Sequence, residues 1–163
     1  MYNDTFQHDL NIGREKEKEI LNIFRNEGWI GDLLNTRAYG DLWVIKNRIP
    51  YVLEIKNEDN YWNSPNIIIE IYQGINEKPS GISICESQIC IHTMKDNSVI
   101  YRTQYMRLFI SANIKKYKMI NYLMSDNHNK GLRMPTVDLV GLWWFDKCLT
   151  DNIPESKIFL EEL

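Results

Sequence analysis

The sequence predicts an α/β fold, and three observations predict it. Arg14 to Glu27 carries the apolar spacing of an amphipathic helix, with Ile20, Leu21 and Phe24 on one face. Leu42–Ile45 and Tyr51–Lys56 are two β-branched and aromatic runs joined by a short polar turn, the pattern of a hairpin. From Ile67 onward, further β-rich runs precede a second helical stretch, Thr103 to about Asn113. At 163 residues and 44% hydrophobic content, the chain is sized for one globular domain with its own core, taken as 1–163. There is no internal repeat and no low-complexity linker.

In chain order, residues 1–12 read as a loose arm without a motif. The first helix follows, its opening turns covered by alternating Glu and Lys with i,i+3 and i,i+4 partners, and Gly28 supplies its stop. Residues 30–40 form a polar connection with room for a first strand before the hairpin. After Lys56, residues 57–66 are a polar loop that mixes acids with Tyr61 and Trp62. Ile67–Tyr72 reads as a buried central strand whose one charge, Glu70, needs a partner in a core. Two arrangements stay open: Glu70 faces the same site as the hairpin acids, or it pairs with a cation such as Lys56. A Pro79-Ser80-Gly81 turn leads to strands at Ile89–Met94 and Val99–Tyr101, then to the second helix, whose apolar stripe is core packing. Residues 125–131 read as a turn-rich loop. The Trp143-Trp144 pair has core filling as its plainer reading, with base stacking or a dimer interface as alternatives. A short acidic tail ends the chain.

No apolar run approaches the ~20 residues that span a bilayer, and the amino terminus lacks a signal-peptide pattern, so no membrane partner and a cytoplasmic location are expected. Cys85, Cys90 and Cys148 are odd in number and lack CxxC spacing, which points to reduced thiols rather than a disulfide framework or zinc ribbon. His8, His92 and His128 are scattered and read as surface or loop residues. The net charge of −3 argues against binding nucleic acid by bulk charge. Its distribution does not. Between residues 102 and 133 stand Arg102, Arg107, Lys115, Lys116, Lys118, Lys130 and Arg133 against the single acid Asp126. Such a basic stretch is the footprint of phosphate binding, with a solvated face as the plainer alternative.

The chemistry concentrates at the hairpin. Glu54 and Lys56 are two residues apart and so share one face of their strand, while Ile55 points the other way. Hairpin pairing also brings Asp41 close to Glu54. Two carboxylates and an ammonium then converge, and like charges repel unless a cation lies between them. The bland reading is a surface hairpin with solvated charges.

This pattern, Asp41 followed by Glu54-Ile55-Lys56, resembles the signature of the PD-(D/E)XK, or restriction-endonuclease-like, nuclease superfamily, with Gly40 in place of the proline. The resemblance extends over about 14–135. The chain looks like phage-encoded members in keeping Ile69-Glu70, then Pro79-Ser80-Gly81-Ile82, and later Leu132-Arg133-Met134-Pro135. It departs from them at Gln88 and Cys90, where that group usually has Asp and Trp. It is similar to Holliday-junction resolvases in having an acid, Glu17, eleven residues before Gly28-Trp29, with Glu19 as the alternative.

The resemblance implies a central mixed β-sheet flanked by helices and a Mg²⁺-dependent nuclease, Mn²⁺ substituting. Asp41, Glu54, the Ile55 carbonyl and Glu70 would be metal ligands, with Glu17 a helper. Lys56 would orient the attacking water and stabilise negative charge. The basic residues from Arg102 to Arg133 would track a DNA backbone without reading its sequence. It further implies a homodimer, structure-selective or weakly specific cleavage, and a host-cell cytoplasm if the chain is phage-encoded. Two competing classes are a catalytically inactive nuclease fold kept as a binding or interaction module, and an unrelated α/β interaction protein.

Overall fold

A computed structural model describes residues 2–34, 39–58, 66–94, 97–124, 127–135, 138 and 144–146. It is a mixed α/β protein with two α-helices and two sheets among these residues. Helix α1 (Tyr2–Asn26) begins well before the expected start. Residues 2–12, expected as a loose arm, contain neither proline nor glycine, so nothing in them interrupts a helix that the packed downstream half already nucleates. The helix ends as expected, with Gly28 at φ +82°.

Strands β1 (Ile30–Leu33), β2 (Leu42–Lys46) and β3 (Ile49–Asn57) form an antiparallel meander. The β2–β3 turn is two residues long, Asn47 and Arg48, at φ +53° and +68°. Positive φ at both positions is the type I′ geometry that matches strand twist. Beyond β3 come β4 (Asn66–Gln73), the two-residue β5 (Lys78–Pro79), a 3-10 turn at Gly81–Ser83, then β6 (Ile89–Thr93) and β7 (Asn97–Arg102). Helix α2 (Thr103–Asn113) matches its expected bounds. Strands β8 (Lys118–Met124), β9 (Asn127–Pro135) and β10 (Trp144–Asp146) complete the order.

The six-stranded sheet runs β1-β2-β3-β6-β7-β10, with β3–β6 its one parallel pair among the described residues. Ile67–Tyr72 was expected as a central strand, yet β4 lies in a separate four-stranded sheet, β5-β4-β9-β8. Its ladder bonds go to β5 and β9, so β6 takes the place beside β3. The expected loop at 125–131 is also corrected: from Asn127 it is strand β9, whose polar residues pair with β8 and β4.

Alternation along β3, β6 and β7 separates two cores. Leu42, Val44, Tyr51, Leu53, Ile55, Ile89, Ile91 and Ile100 pack under Ile20, Leu21 and Phe24 of α1. Cys90, Val99 and Tyr101 point to the opposite face. There they meet Met106 and Ile110 of α2 and Ile67, Ile69, Ile71, Leu132 and Met134 of the second sheet. The order of layers is thus α1, the six-stranded sheet, then α2 with the second sheet. The loop with Tyr61 and Trp62, Trp143, Cys148 and the acidic tail lie outside the described residues, as does the side chain of Trp144.

Candidate active site

Glu54 and Lys56 sit on the β3 face turned away from α1, because Tyr51, Leu53 and Ile55 occupy the other. Asp41 precedes β2, where its N–H donates to the Leu53 carbonyl at 2.8 Å. Its Oδ2 accepts the Ile55 N–H at 2.7 Å. The register Leu42↔Leu53 then puts Asp41 opposite Glu54. Lys56 Nζ lies 2.5 Å from Glu54 Oε1, the two side chains being 47% and 22% exposed. Burial works against the charge on Lys56. The Glu54 carboxylate, bonded to it, and then Asp41 and Glu70 more than offset that, and its pKa is pushed above the usual lysine value. Lys56 is therefore an ammonium at neutral pH, bonded to Glu54 and in the field of Asp41 and Glu70.

Gly40 stands where the nuclease signature has proline, and the structure gives the reason. Its φ of +137° is closed to a proline ring, which fixes φ near about −65°. An added Cβ would also lie 2.5 Å from Ser87 Oγ, 2.7 Å from Val52 and 2.8 Å from the Leu53 carbonyl. Ser87 in turn donates to the Tyr39 carbonyl at 2.9 Å. Gln88 accepts the Val52 N–H at 2.6 Å through its side chain and donates its own N–H to the Val52 carbonyl at 3.0 Å. The departure at Gln88 thus serves to clasp the backbone of β3.

Glu70 is neither at a strand end nor in the six-stranded sheet. It lies at a bulge in β4, where the β9 register shifts between Glu70 and Tyr72. Its carboxylate accepts from the Ser80 hydroxyl, from the Tyr122 hydroxyl at 2.9 Å and from Asn129 Nδ2 at 3.1 Å. With its oxygens so engaged, Glu70 reaches Lys56 through its field rather than as a ready metal ligand. The Pro-Ser-Gly turn packs directly on it: a Cβ on Gly81, at φ +52°, would lie 2.5 Å from the Glu70 carbonyl oxygen.

Glu17 is half-buried on the α1 stripe that continues from Ile20, Leu21 and Phe24. That stripe covers the sheet face opposite to Glu54 and Lys56, so the structure places Glu17 across the sheet from them. Glu19 is more exposed and pairs with Lys16 at 2.8 Å.

A hard divalent cation fits the remaining donors. Asp41 and Glu54 supply carboxylate oxygens, and the Ile55 carbonyl shares the strand edge of its N–H, past the start of β2, as alternation along a strand requires. Among the described residues no group of three or more His, Cys, Asp and Glu is placed to hold a metal ion. Two carboxylates and a carbonyl suit Mg²⁺, which keeps several waters.

The basic residues divide. Arg107 donates to the Ile82 and Cys85 carbonyls at 2.8 and 2.7 Å and so braces the 3-10 turn. Lys116 pairs with Asp138 at 3.0 Å and Lys130 with Glu77. Arg102 lies over Tyr105 at 5.9 Å. Lys115, Lys118 and Arg133 are exposed, and Lys118 and Arg133 are direct partners in the β8–β9 ladder.

Two groups beside the site went unread in the sequence. His92, expected at the surface, is 4% exposed on β6, in register with Lys56. Both ring nitrogens are engaged, Nδ1 with Glu58 at 2.8 Å and Nε2 with the Tyr101 hydroxyl at 2.7 Å, which is what lets a histidine and a carboxylate lie buried together. Burial pushes the Tyr101 phenol well up. Cys90, beside Glu54 in the β3–β6 ladder, has its sulfur 3.7 Å from that of Cys85. The bond to Cys90 pulls the Cys85 thiol down to about 6, while Cys90 is pushed up by the same bond and by burial.

Comparison of the chain with protein-family models, with curated proteins and with solved structures finds no match.

Proposed function

We propose that the chain is a metal-dependent nuclease of the PD-(D/E)XK type that hydrolyses DNA phosphodiester bonds, with structure-selective or weak sequence preference. The observation that carries this reading is the convergence of Asp41, Glu54 and Lys56 on one face of β3, with Lys56 in the field of both acids. Asp41, Glu54 and the Ile55 carbonyl are the residues that would hold Mg²⁺ or Mn²⁺. When bound, such a cation supplies Lewis acidity toward phosphate and lowers the pKa of its water. The chain's own part is positional and electrostatic. The Asp41 bond to the Ile55 N–H fixes one carboxylate against the strand, and Glu70, caged by three donors, adds negative potential behind Lys56. The Lys56 ammonium, beside Glu54, would donate to the phosphate oxygens on which negative charge develops, were a cation to hold the Glu54 carboxylate in its place. Lys118 and Arg133 also favour a phosphate partner, since like charges opposite each other in a ladder are destabilising without an anion between them.

The test is cleavage of labelled linear, single-stranded and four-way-junction DNA with Mg²⁺ or Mn²⁺, comparing wild type with Glu54→Ala and Lys56→Ala. Metal-dependent cutting is expected in wild type, with a loss of at least about a hundredfold in each variant. Binding without cutting would replace this reading by the inactive nuclease-fold module. Neither binding nor cutting at low salt would leave the α/β interaction protein.

A further inference from the structure

Beside the carboxylates lies a thiol pair that the nuclease reading does not use. Cys85 follows the 3-10 turn at Gly81–Ser83, and its N–H donates to the Gly81 carbonyl at 2.9 Å. Cys90 lies on β6, bonded on one side to Glu54's strand and on the other to Tyr101's. Their sulfurs are 3.7 Å apart, at van der Waals contact, and a disulfide needs about 2.05 Å. Closing that gap takes a shift of side chains and of one short turn, not a rearrangement of the sheet. We propose that Cys85 and Cys90 are a modification site, a dithiol that a hydroperoxide converts to a reversible disulfide alongside Glu54.

The two sulfurs have different environments, and the difference sets their roles. Cys85 is half-buried and lines an open groove of about 570 Å³ with Ser83, Gln88, Arg102 and Tyr105, so it meets the oxidant first. Cys90 is 3% exposed and also contacts the Thr103 hydroxyl at 3.3 Å, so it is the resolving thiol. In the first step the Cys85 sulfur attacks one peroxide oxygen. An S–O bond forms, the O–O bond breaks, and the departing hydroxide leaves as water with the Cys85 proton. In the second step the Cys90 sulfur attacks Cys85. The S–S bond forms, the S–O bond breaks, and the hydroxide leaves as water with the Cys90 proton. Two thiols and one hydrogen peroxide thus give one disulfide and two waters, and a small dithiol reverses the change by exchange.

Closure bears on the neighbouring site through named contacts. Cys90 is fixed by ladders on both sides, so Cys85 is the residue that moves. Its carbonyl is held by Arg107, and its turn carries Ser80 on the Glu70 carboxylate. The disulfide therefore draws on the turn that cages Glu70. None of this depends on DNA cleavage, and the experiment reads the sulfur chemistry directly.

The full chain is treated with hydrogen peroxide at a small excess, blocked with an alkylating agent, digested and mapped by mass spectrometry, in wild type and in Cys148→Ser. The expected result is a Cys85–Cys90 cross-linked peptide, lighter by two hydrogens than the reduced pair, in both proteins, and its disappearance after dithiothreitol. Cys85→Ser, at a half-exposed position, should slow peroxide-driven loss of the Cys90 thiol at least tenfold while circular dichroism stays unchanged. Three results overturn the proposal: both thiols still open to alkylation, Cys85 carried to sulfinic acid with Cys90 intact, or a cross-link that runs to Cys148.

Discussion

Lys56 shows how one side chain ties the site together. Its ammonium pairs with Glu54 and lies in the fields of Asp41 and Glu70, so removing it leaves the negative potential of three carboxylates without its counter-charge. Lys56→Met keeps the stem and deletes the charge. Because Lys56 is 47% exposed, solvent screening limits the loss to about 1 kcal/mol or less at neutral pH. The sign follows from the raised folded-state value. The stabilisation from Lys56 is fully present below the ordinary lysine pKa of about 10.4 and is lost as pH rises through the higher folded value. Melting temperatures of wild type and variant should therefore differ at pH 7 and converge at strongly alkaline pH. Mg²⁺ should raise the melting temperature more in the variant, since a cation there replaces the missing ammonium. Equal stability at pH 7 and equal metal shifts would show that the three acids share no field. The residues of this cluster on the hairpin were legible because strand alternation fixes their faces from sequence alone, although the turn read at Lys46–Arg48 is only Asn47 and Arg48, with Lys46 paired to Ile49. The partners of Glu70 were not. Ser80 is ten residues away, but Tyr122 and Asn129 come from a hairpin 52 and 59 residues on, and no local pattern marks a tyrosine and an asparagine as carboxylate donors. The thiol pair was missed for a related reason: the five-residue separation of Cys85 and Cys90 is closed by the irregular segment between the 3-10 turn and β6, and cysteine counting looks for other spacings.

Among the elements, the β2–β3 hairpin is the one whose turn can be improved. Asn47 tolerates a positive φ well, but Arg48 at φ +68° carries a Cβ in the left-handed region. Arg48→Gly gives the Asn-Gly pair that type I′ turns favour and should stabilise the fold by about 0.5–1 kcal/mol. Thermal or urea unfolding reads the gain, and cleavage should be unaffected because the turn lies at the far end of β3 from Lys56. A loss of stability would mean that Arg48 makes a contact worth more than its backbone strain. This hairpin and α2 were readable in advance because all their information is local: a turn, a period, a length. Residues 2–12 were misread as an arm because they carry no motif, whereas a helix already anchored by Ile20, Leu21 and Phe24 extends at little cost. Strand β9 was misread because Asn127, Asn129 and Lys130 look like loop residues. Asn129 is in fact buried against Glu70, a pairing visible only once β4 and β9 are neighbours.

At the scale of the whole molecule, the α/β class was legible and the division into two sheets was not, since which strand stands beside β3 is decided by pairing across more than thirty residues. That division makes the two cores interdependent. Strands β6 and β7 send Ile89, Ile91 and Ile100 into the α1 core and Cys90, Val99 and Tyr101 into the other. Neither core can lose its side of these strands without the other losing its support. Ile69→Ala truncates a side chain 2% exposed in the second core and should cost about 2–5 kcal/mol. If the cores form one cooperative unit, that cost reaches residues the mutation does not touch. Hydrogen exchange in the β2–β3 hairpin, which belongs to the first core, should then accelerate together with exchange in β8–β9. Acceleration confined to β8–β9 would show instead that the second sheet opens by itself, leaving Lys56 and Glu54 on an intact strand but without the field of Glu70. The same comparison shows whether the field of Glu70 is a permanent part of the site or one that comes and goes with the second sheet.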